Sequence, residues 1–435
     1  MFDNILDALP IASFIGALLY RAHAAQQGTE ELIFSSFIIR HGARGPTRKA
    51  LYLSVGETSA QRKKRNKPNS EEHPAHGDVS ALWAVDELDA LTSVGADQLV
   101  SVGIFFANYL RQHPELLTSS SCAAPTKMKM KMKLRRSERP RVIASSKSFI
   151  QGYNHEIAAG SSSRRVELQY EPHASLAENV AVFRSWTGTE YNKDIAEMKS
   201  SELYQKKGEE MGFMLDATVG KACGPWAQHM SRAGQLNLTT YLHEVLGCEE
   251  YSPNPKQRGQ GSLTEMFHRN NDDTTTTCNN TMKDIVKDTN IDSREGLRQL
   301  ARWSFDQRFI NRSTMGEKWG MTIGGDLLRE IEGDFETSIA NANAMMKKGG
   351  NAGHNVSVYV GHDYTILALM AALGIQKHPP DIMGFGAFAI MEYRRHTRTG
   401  AIRQCLLLQT TPFPDATCPS KMTIESPVHV FEQIV

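Results

Sequence analysis

An apolar run, Leu32-Ile33-Phe34-Ser35-Ser36-Phe37-Ile38-Ile39, is the feature that most narrows what this chain can fold into. Its length and near-continuous apolar character predict a buried strand. The run stops at Arg40-His41-Gly42-Ala43-Arg44-Gly45-Pro46, a turn punctuated by glycine and proline. In open α/β sheets, the crevice beyond the end of a central strand is where ligands bind. This turn sets one imidazole between two guanidiniums. A neutral imidazole is a nucleophile, and a guanidinium is a planar fork that matches phosphate oxygens. The plain alternative is a satisfied histidine in a basic turn.

The chain has 435 residues, 40% of them hydrophobic and 22% charged, with a formal net charge of +1. That is enough for one large domain or two modest ones with a real core. The near-neutral balance argues against a general nucleic-acid binder. Basic residues do cluster at Arg62-Lys63-Lys64-Arg65, which reads as a solvated loop, and over 127–136.

Residues 1–25 read either as a secretory signal peptide or as an ordinary N-terminal helix. An apolar stretch spans 11–20 and Ala22-His23-Ala24 has the small-x-small form of a cleavage site, but Asp3 and Asp7 stand where a signal is positive. No later segment has the length of a spanning helix, so membrane association would rest on this segment. The six cysteines (Cys122, Cys223, Cys248, Cys278, Cys405, Cys418) include no C-x-x-C pair, which disfavours a structural zinc site. An even count suits three disulfides, with scattered thiols as the alternative. Glycosylation sequons begin at Asn237, Asn279, Asn311 and Asn355. Together these point to a secretory, lysosome-like or extracellular glycoprotein.

Along the chain, the polar stretch 57–78 reads as a long loop. A helix is predicted from Leu91 through Leu99, Val102, Phe105, Phe106 and Leu110, with Thr92 as its N-cap. Met128, Met130, Met132 and Leu134 alternate with lysines, the pattern of a half-buried strand or of a low-complexity insertion. A turn through Pro140 then opens a helix over 142–153. Residues 155–299 are polar and mainly helical. A second strand, Val356-Ser357-Val358-Tyr359-Val360, leads through Gly361-His362-Asp363 into an apolar helix, and another strand is expected over 385–393. The predicted class is α/β: a three-layer core with a mostly parallel central sheet and helices on both faces (26–154 and 300–435). An inserted, mainly helical cap occupies 155–299.

Four segments resemble the histidine acid phosphatases, in the branch that includes the phytases. They are R-H-G-x-R-x-P at Arg40 to Pro46, L-T-x-x-G-x-x-Q at Leu91 to Gln98, R-V-I-A-S at Arg141 to Ser145, and H-D at His362-Asp363. The likeness covers about 32–150 and 300–415. It implies hydrolysis of phosphate monoesters without a metal or other cofactor, on phosphorylated small molecules or phosphoproteins. Arg40, Arg44, Arg141 and His362 would hold the phosphoryl group, His41 would form a phosphohistidine, and Asp363 would protonate the leaving oxygen. One ring nitrogen of His41 must be unprotonated, so the other should donate to a backbone carbonyl. Crowded cations should lower the His41 pKa below about 6.5, and an acidic optimum follows. Tyr364 departs from the family, which has a small polar residue after the aspartate. A phytase, with Lys206, Lys207 and Lys221 holding further phosphates, is the first alternative. A non-catalytic anion-binding protein on the same fold is the second. Oligomeric state is open.

Overall fold

The computed structural model describes residues 30–47, 50, 83, 86–117, 132–159, 189–223, 227, 229–254, 257, 262, 293–311, 315–348, 355–375, 383–410 and 428–434. The strands are β1 (Glu30–Arg40), β2 (Lys133–Arg136), β3 (Val356–Gly361), β4 (Phe388–His396), β5 (Ile402–Gln409) and β6 (Val428–Ile434). The longer helices are α1 (Ser93–Gln112), α2 (Pro140–Ala159), α3 (Thr189–Ser200), α4 (Glu202–Glu210), α5 (Arg232–Glu250), α6 (Ser293–Phe309), α7 (Met321–Lys348) and α8 (Asp363–Ala372).

The apolar run is β1, and its position explains its composition. It lies inside a six-stranded open sheet of order β2-β3-β1-β4-β5-β6. Side chains of a strand point alternately to opposite faces, so a strand covered on both needs apolar residues throughout. Phe37 and Ile39 join Leu99, Val102 and Phe106 of α1 and Phe149 and Tyr153 of α2 on one face. Phe34 and Ile38 join Leu327 and Ile331 of α7 and Ile366 and Leu369 of α8 on the other. This is the expected three-layer core.

Parallel pairing is confined to β2, β3 and β1. The β1–β4, β4–β5 and β5–β6 pairs are antiparallel, so the sheet is mixed rather than mostly parallel. The cause at β4–β5 is the short turn between them, closed by the His396 amide on the Ala401 carbonyl. A parallel return would need a crossover of a dozen or more residues.

Local signals were well placed. Thr92 caps α1, its hydroxyl accepting from the Gly95 amide at 3.0 Å. Pro140 opens α2, where its missing N–H costs nothing. Of the Met/Lys alternation, Met132 and Leu134 are buried beside and within β2; Met128 and Met130 lie outside the described residues. So do residues 1–25, the stretch 57–78, Asn279, Cys122, Cys278 and Cys418.

Helices α3 to α6 gather around Tyr204, Leu236, Leu242, Val245, Leu297 and Leu300. Ala43 and Phe385, from the loops that follow β1 and precede β4, belong to the same cluster. This helical layer therefore rests against the end of the sheet that carries the signature turn.

Two expectations are corrected. Cys248 and Cys405 are buried, unbonded thiols, pushed up by burial to about 12 and about 11, so neither takes part in one of the three expected disulfides. Asn237 is buried inside α5, where its side-chain oxygen accepts from Arg308 at 2.7 Å, leaving no space for a glycan. Among the described residues, no helix is long and apolar enough to cross a membrane.

Candidate active site

Three parallel strands end side by side, and each delivers part of one cluster. β1 ends in Arg40 and passes to His41; β3 ends at Gly361 and passes to His362 and Asp363; β2 leads through Ser137 to Arg141 in the first turn of α2. The backbone continues the pairing past β1. The His41 amide donates to the Gly361 carbonyl at 3.0 Å, and the Gly386 amide donates to the His41 carbonyl at 3.1 Å. The nucleophile candidate is thus fixed between two strands before any side-chain contact is considered.

The rest of the turn is held by α1 and α2. The Gly42 amide donates to Ser145 Oγ at 3.2 Å and the Ala43 amide to Gln98 Oε1 at 2.9 Å. The Ala43 carbonyl accepts from both the amide and the hydroxyl of Thr92. Backbones approach so closely here that a Cβ on Gly42 would lie 2.1 Å from the Gly95 carbonyl oxygen. Glycine is required at this crossing by space alone.

His41 Nδ1 is 2.9 Å from the Gly42 carbonyl oxygen. A carbonyl accepts only, so Nδ1 carries the proton and Nε2 keeps its lone pair. Burial, reinforced by Arg141, Arg40 and Arg44, holds the His41 pKa well below the usual 6.5. His362 is lowered in the same way, by burial first and Arg141 next. Arg141 Nη2 stands 3.3 Å from His362 Nδ1, and His362 Nε2 is 3.1 Å from Ser137 Oγ, an arrangement that suits a neutral ring accepting at Nδ1. The two imidazole centroids are 5.5 Å apart.

Each guanidinium is anchored by acids. Arg40 pairs with Asp363 at 3.2 Å, donates to the Met383 carbonyl, and lies 4.4 Å from the centre of the Phe385 ring. Arg44 pairs with Glu244 of α5 at 3.1 Å and is 3.6 Å from Asp89. Arg141 meets both Asp89 oxygens at 2.6 Å. Burial lowers Arg40, and burial with the neighbouring Arg44 brings Arg141 down to about 10. Burial also works against the charge of Arg44, but Glu244 and other partners outweigh it and raise its pKa. In all three arginines the Nε is buried and has no acceptor among the described residues. Buried donors are normally satisfied, and three open N–H groups gathered in one cluster are chemically able to take an anion.

All six residues singled out in the sequence come together: Arg40, His41, Arg44, Arg141, His362 and Asp363. The Tyr364 ring lies flat on His362, with centroids 4.8 Å apart and planes 17° apart, and so braces that imidazole. Lys206 is exposed on α4, and Lys207 pairs with Glu210 at 3.4 Å; the side chain of Lys221 is outside the described part. Asp89, Glu244, Ser137 and Phe385 were not anticipated. The signal for two of them was indirect: buried guanidiniums need counter-ions, and Asp89 stands just before the Leu91 to Gln98 segment. Among the described residues, no three His, Cys, Asp or Glu side chains are grouped to hold a metal ion.

A family model described as histidine phosphatase superfamily (branch 2) matches residues 31–403. The fold is similar to that of the phytase from Citrobacter braakii, at 15% identity and a TM-score of 0.51, covering 93% of this chain and 91% of that one. It is also similar to the Klebsiella sp ASR1 phytase, at 13% identity and a TM-score of 0.50, covering 93% and 89%. The ligand-free Hafnia alvei phytase matches at 15% identity and 0.50, covering 93% and 91%. At such identities the likeness is one of fold. No curated protein matches the chain in sequence.

Proposed function

This chain belongs to branch 2 of the histidine phosphatase superfamily, and we propose that it is an acid phosphatase working through a phosphohistidine on His41. The observation that supports this best is the fixed tautomer of His41, its Nε2 left unprotonated among three buried guanidiniums with orphaned Nε atoms. The phosphoryl group is held by Arg40, Arg44, Arg141 and His362, whose charges and dipoles offset the negative charge on its oxygens. Nε2 attacks phosphorus in line, a P–N bond forms, and the P–O bond to the leaving group breaks. Asp363 gives its proton to the departing oxygen. Water then attacks phosphorus from the side the leaving group vacated, Asp363 takes a proton from it, and the P–N bond breaks to release inorganic phosphate.

The chemistry needs a proton on Asp363 and none on His41 Nε2. The lowered basicity of His41 preserves the second in acid. The test is hydrolysis of p-nitrophenyl phosphate from pH 3 to 9 with EDTA present, in the wild type and His41→Ala. Acidic, chelator-resistant turnover that the substitution removes is the expected result. Folded wild type that binds phosphate without turnover would favour the non-catalytic anion-binding reading.

A second reading is an inositol-polyphosphate phosphatase. It is supported by the R-V-I-A-S segment at Arg141 to Ser145 and by the likeness of the fold to that of phytases. A higher kcat/KM for phytate than for p-nitrophenyl phosphate across the same pH series would select it.

A further inference from the structure

Two acids of the cluster, Asp89 and Glu244, have no part in the steps above. Glu244 has a structural use: it also accepts the Thr47 amide at 2.9 Å and so ties α5 to the signature turn. The Asp89 carboxylate instead faces guanidiniums. Both its oxygens take Arg141 Nη1 at 2.6 Å, and Oδ1 lies 3.6 Å from Arg44 Nη1. Its side chain is 34% exposed, so it stands at the solvent side of the cluster.

The backbone of Asp89 is unusual as well. With φ at 62°, it is the one non-glycine residue at positive φ among the described residues. Its amide donates to the Pro46 carbonyl at 3.1 Å, which pins this turn to the end of the signature segment. Left-handed backbone is disfavoured for L-residues, with Asp and Asn the usual exceptions. A constrained turn therefore aims one carboxylate at two arginines that arrive from separate strand ends. Those are two of the arginines that hold the phosphoryl group in the proposed reaction.

We propose that Asp89 is an internal counter-ion that competes with phosphate for Arg44 and Arg141 and so weakens the hold on inorganic phosphate after hydrolysis. The proposal rests on the phosphoryl-site reading above. Two like charges sharing the same guanidiniums repel, and the repulsion is strong in a partly buried cluster. A residue that merely oriented the arginines would act in the opposite direction, since its loss would loosen phosphate binding. The sign of the effect therefore separates the two roles.

The experiment is calorimetric titration of the full chain with inorganic phosphate, comparing wild type with Asp89→Asn. Asparagine keeps the shape and tolerates positive φ while removing the charge. The expected result is a Kd for phosphate lower by roughly tenfold, matched by a lower Ki for phosphate as product inhibitor. An unchanged or higher Kd in a variant with wild-type Tm overturns the proposal while leaving the phosphoryl site intact. Asp89→Gly, which relieves the backbone, is read in the same way should the asparagine variant fail to fold. Phosphate binding by neither protein, together with no turnover in the wild type, overturns both this proposal and the reading it rests on.

Discussion

Arg394 and Arg141 are both buried beside a carboxylate, at 4% and 9% exposure, yet their surroundings differ. On β4, Arg394 donates through Nε and Nη2 to Glu392 Oε2, both at 2.8 Å. The other Glu392 oxygen accepts the Tyr109 hydroxyl at 2.7 Å, and that hydroxyl meets Ser35 Oγ at 3.2 Å. Burial and Glu392 push the Tyr109 phenol well above its usual value, so it stays a donor. The network closes on itself, and its acid is as buried as its base. At the strand ends the bookkeeping is left open: three guanidiniums keep orphaned Nε atoms, and Asp89 reaches toward solvent. Burial of charge is common to both places; they differ in that the strand-end cluster gathers three such guanidiniums around one imidazole, whereas the β4 pair is enclosed by its own partners.

That contrast can be broken by substitution. The largest effect is expected from His41→Ala, which should lower kcat for p-nitrophenyl phosphate by roughly 10^4-fold or more while Tm stays near that of the wild type. Asp363→Ala should lower kcat by about 10^2 to 10^4-fold. The loss should be greater for an alkyl phosphate than for the aryl ester, because the poorer leaving group needs the proton more. An equal loss on both substrates would take the proton-donor role from Asp363.

Glu392→Ala tests the other side of the comparison. It leaves Arg394 buried without its acid, so denaturant unfolding should show a loss of about 3–5 kcal/mol, with kcat per folded molecule unchanged. Loss of kcat without loss of stability would mean that the closed network serves the chemistry. The smallest effect is in pH-dependent stability. His41, His362 and, on α5 between Arg232 and Glu250, His243 are all depressed, the last to about 4, in each case by burial first. The unfolded chain therefore binds more protons than the folded one below the ordinary histidine value. Stability from these groups is complete above about pH 6.5 and is lost as pH falls toward 4. A Tm that held constant over that window would contradict the neutral state of these three histidines.

Much of this site was legible in the sequence because its residues sit in short segments at strand ends. Arg40, His41, Arg44, Arg141, His362 and Asp363 each follow or precede a strong local signal: an apolar run, a capped helix, or a proline-opened helix. The layers of the core were legible for the same reason, since β1, β3 and α1 carry their periodicity openly. Sheet direction was not. Nothing within Phe388–His396 or Ile402–Gln409 encodes it; the brief turn between them decides it. Asp89 and Glu244 were hidden for a different reason. A carboxylate that meets an arginine 52 or 200 residues away leaves no periodic trace, and its worth depends on the guanidinium it faces. The thiols of Cys248 and Cys405 and the buried Asn237 show the limit of counting. An even number of cysteines and a sequon are permissive features, and burial overrides both.

The crossing of Gly42 over Gly95 changes how the signature turn should be regarded as an engineering part. A side chain on Gly95 would strike the Ala43 carbonyl oxygen at 2.0 Å, just as one on Gly42 would strike Gly95. The seven residues from Arg40 to Pro46 and the start of α1 are therefore one three-dimensional module written in two pieces fifty residues apart. Grafting the first piece onto another strand end would transfer the arginines and the imidazole without the floor that shapes them. A functional transplant would have to carry Thr92, Gly95 and Gln98 along with it.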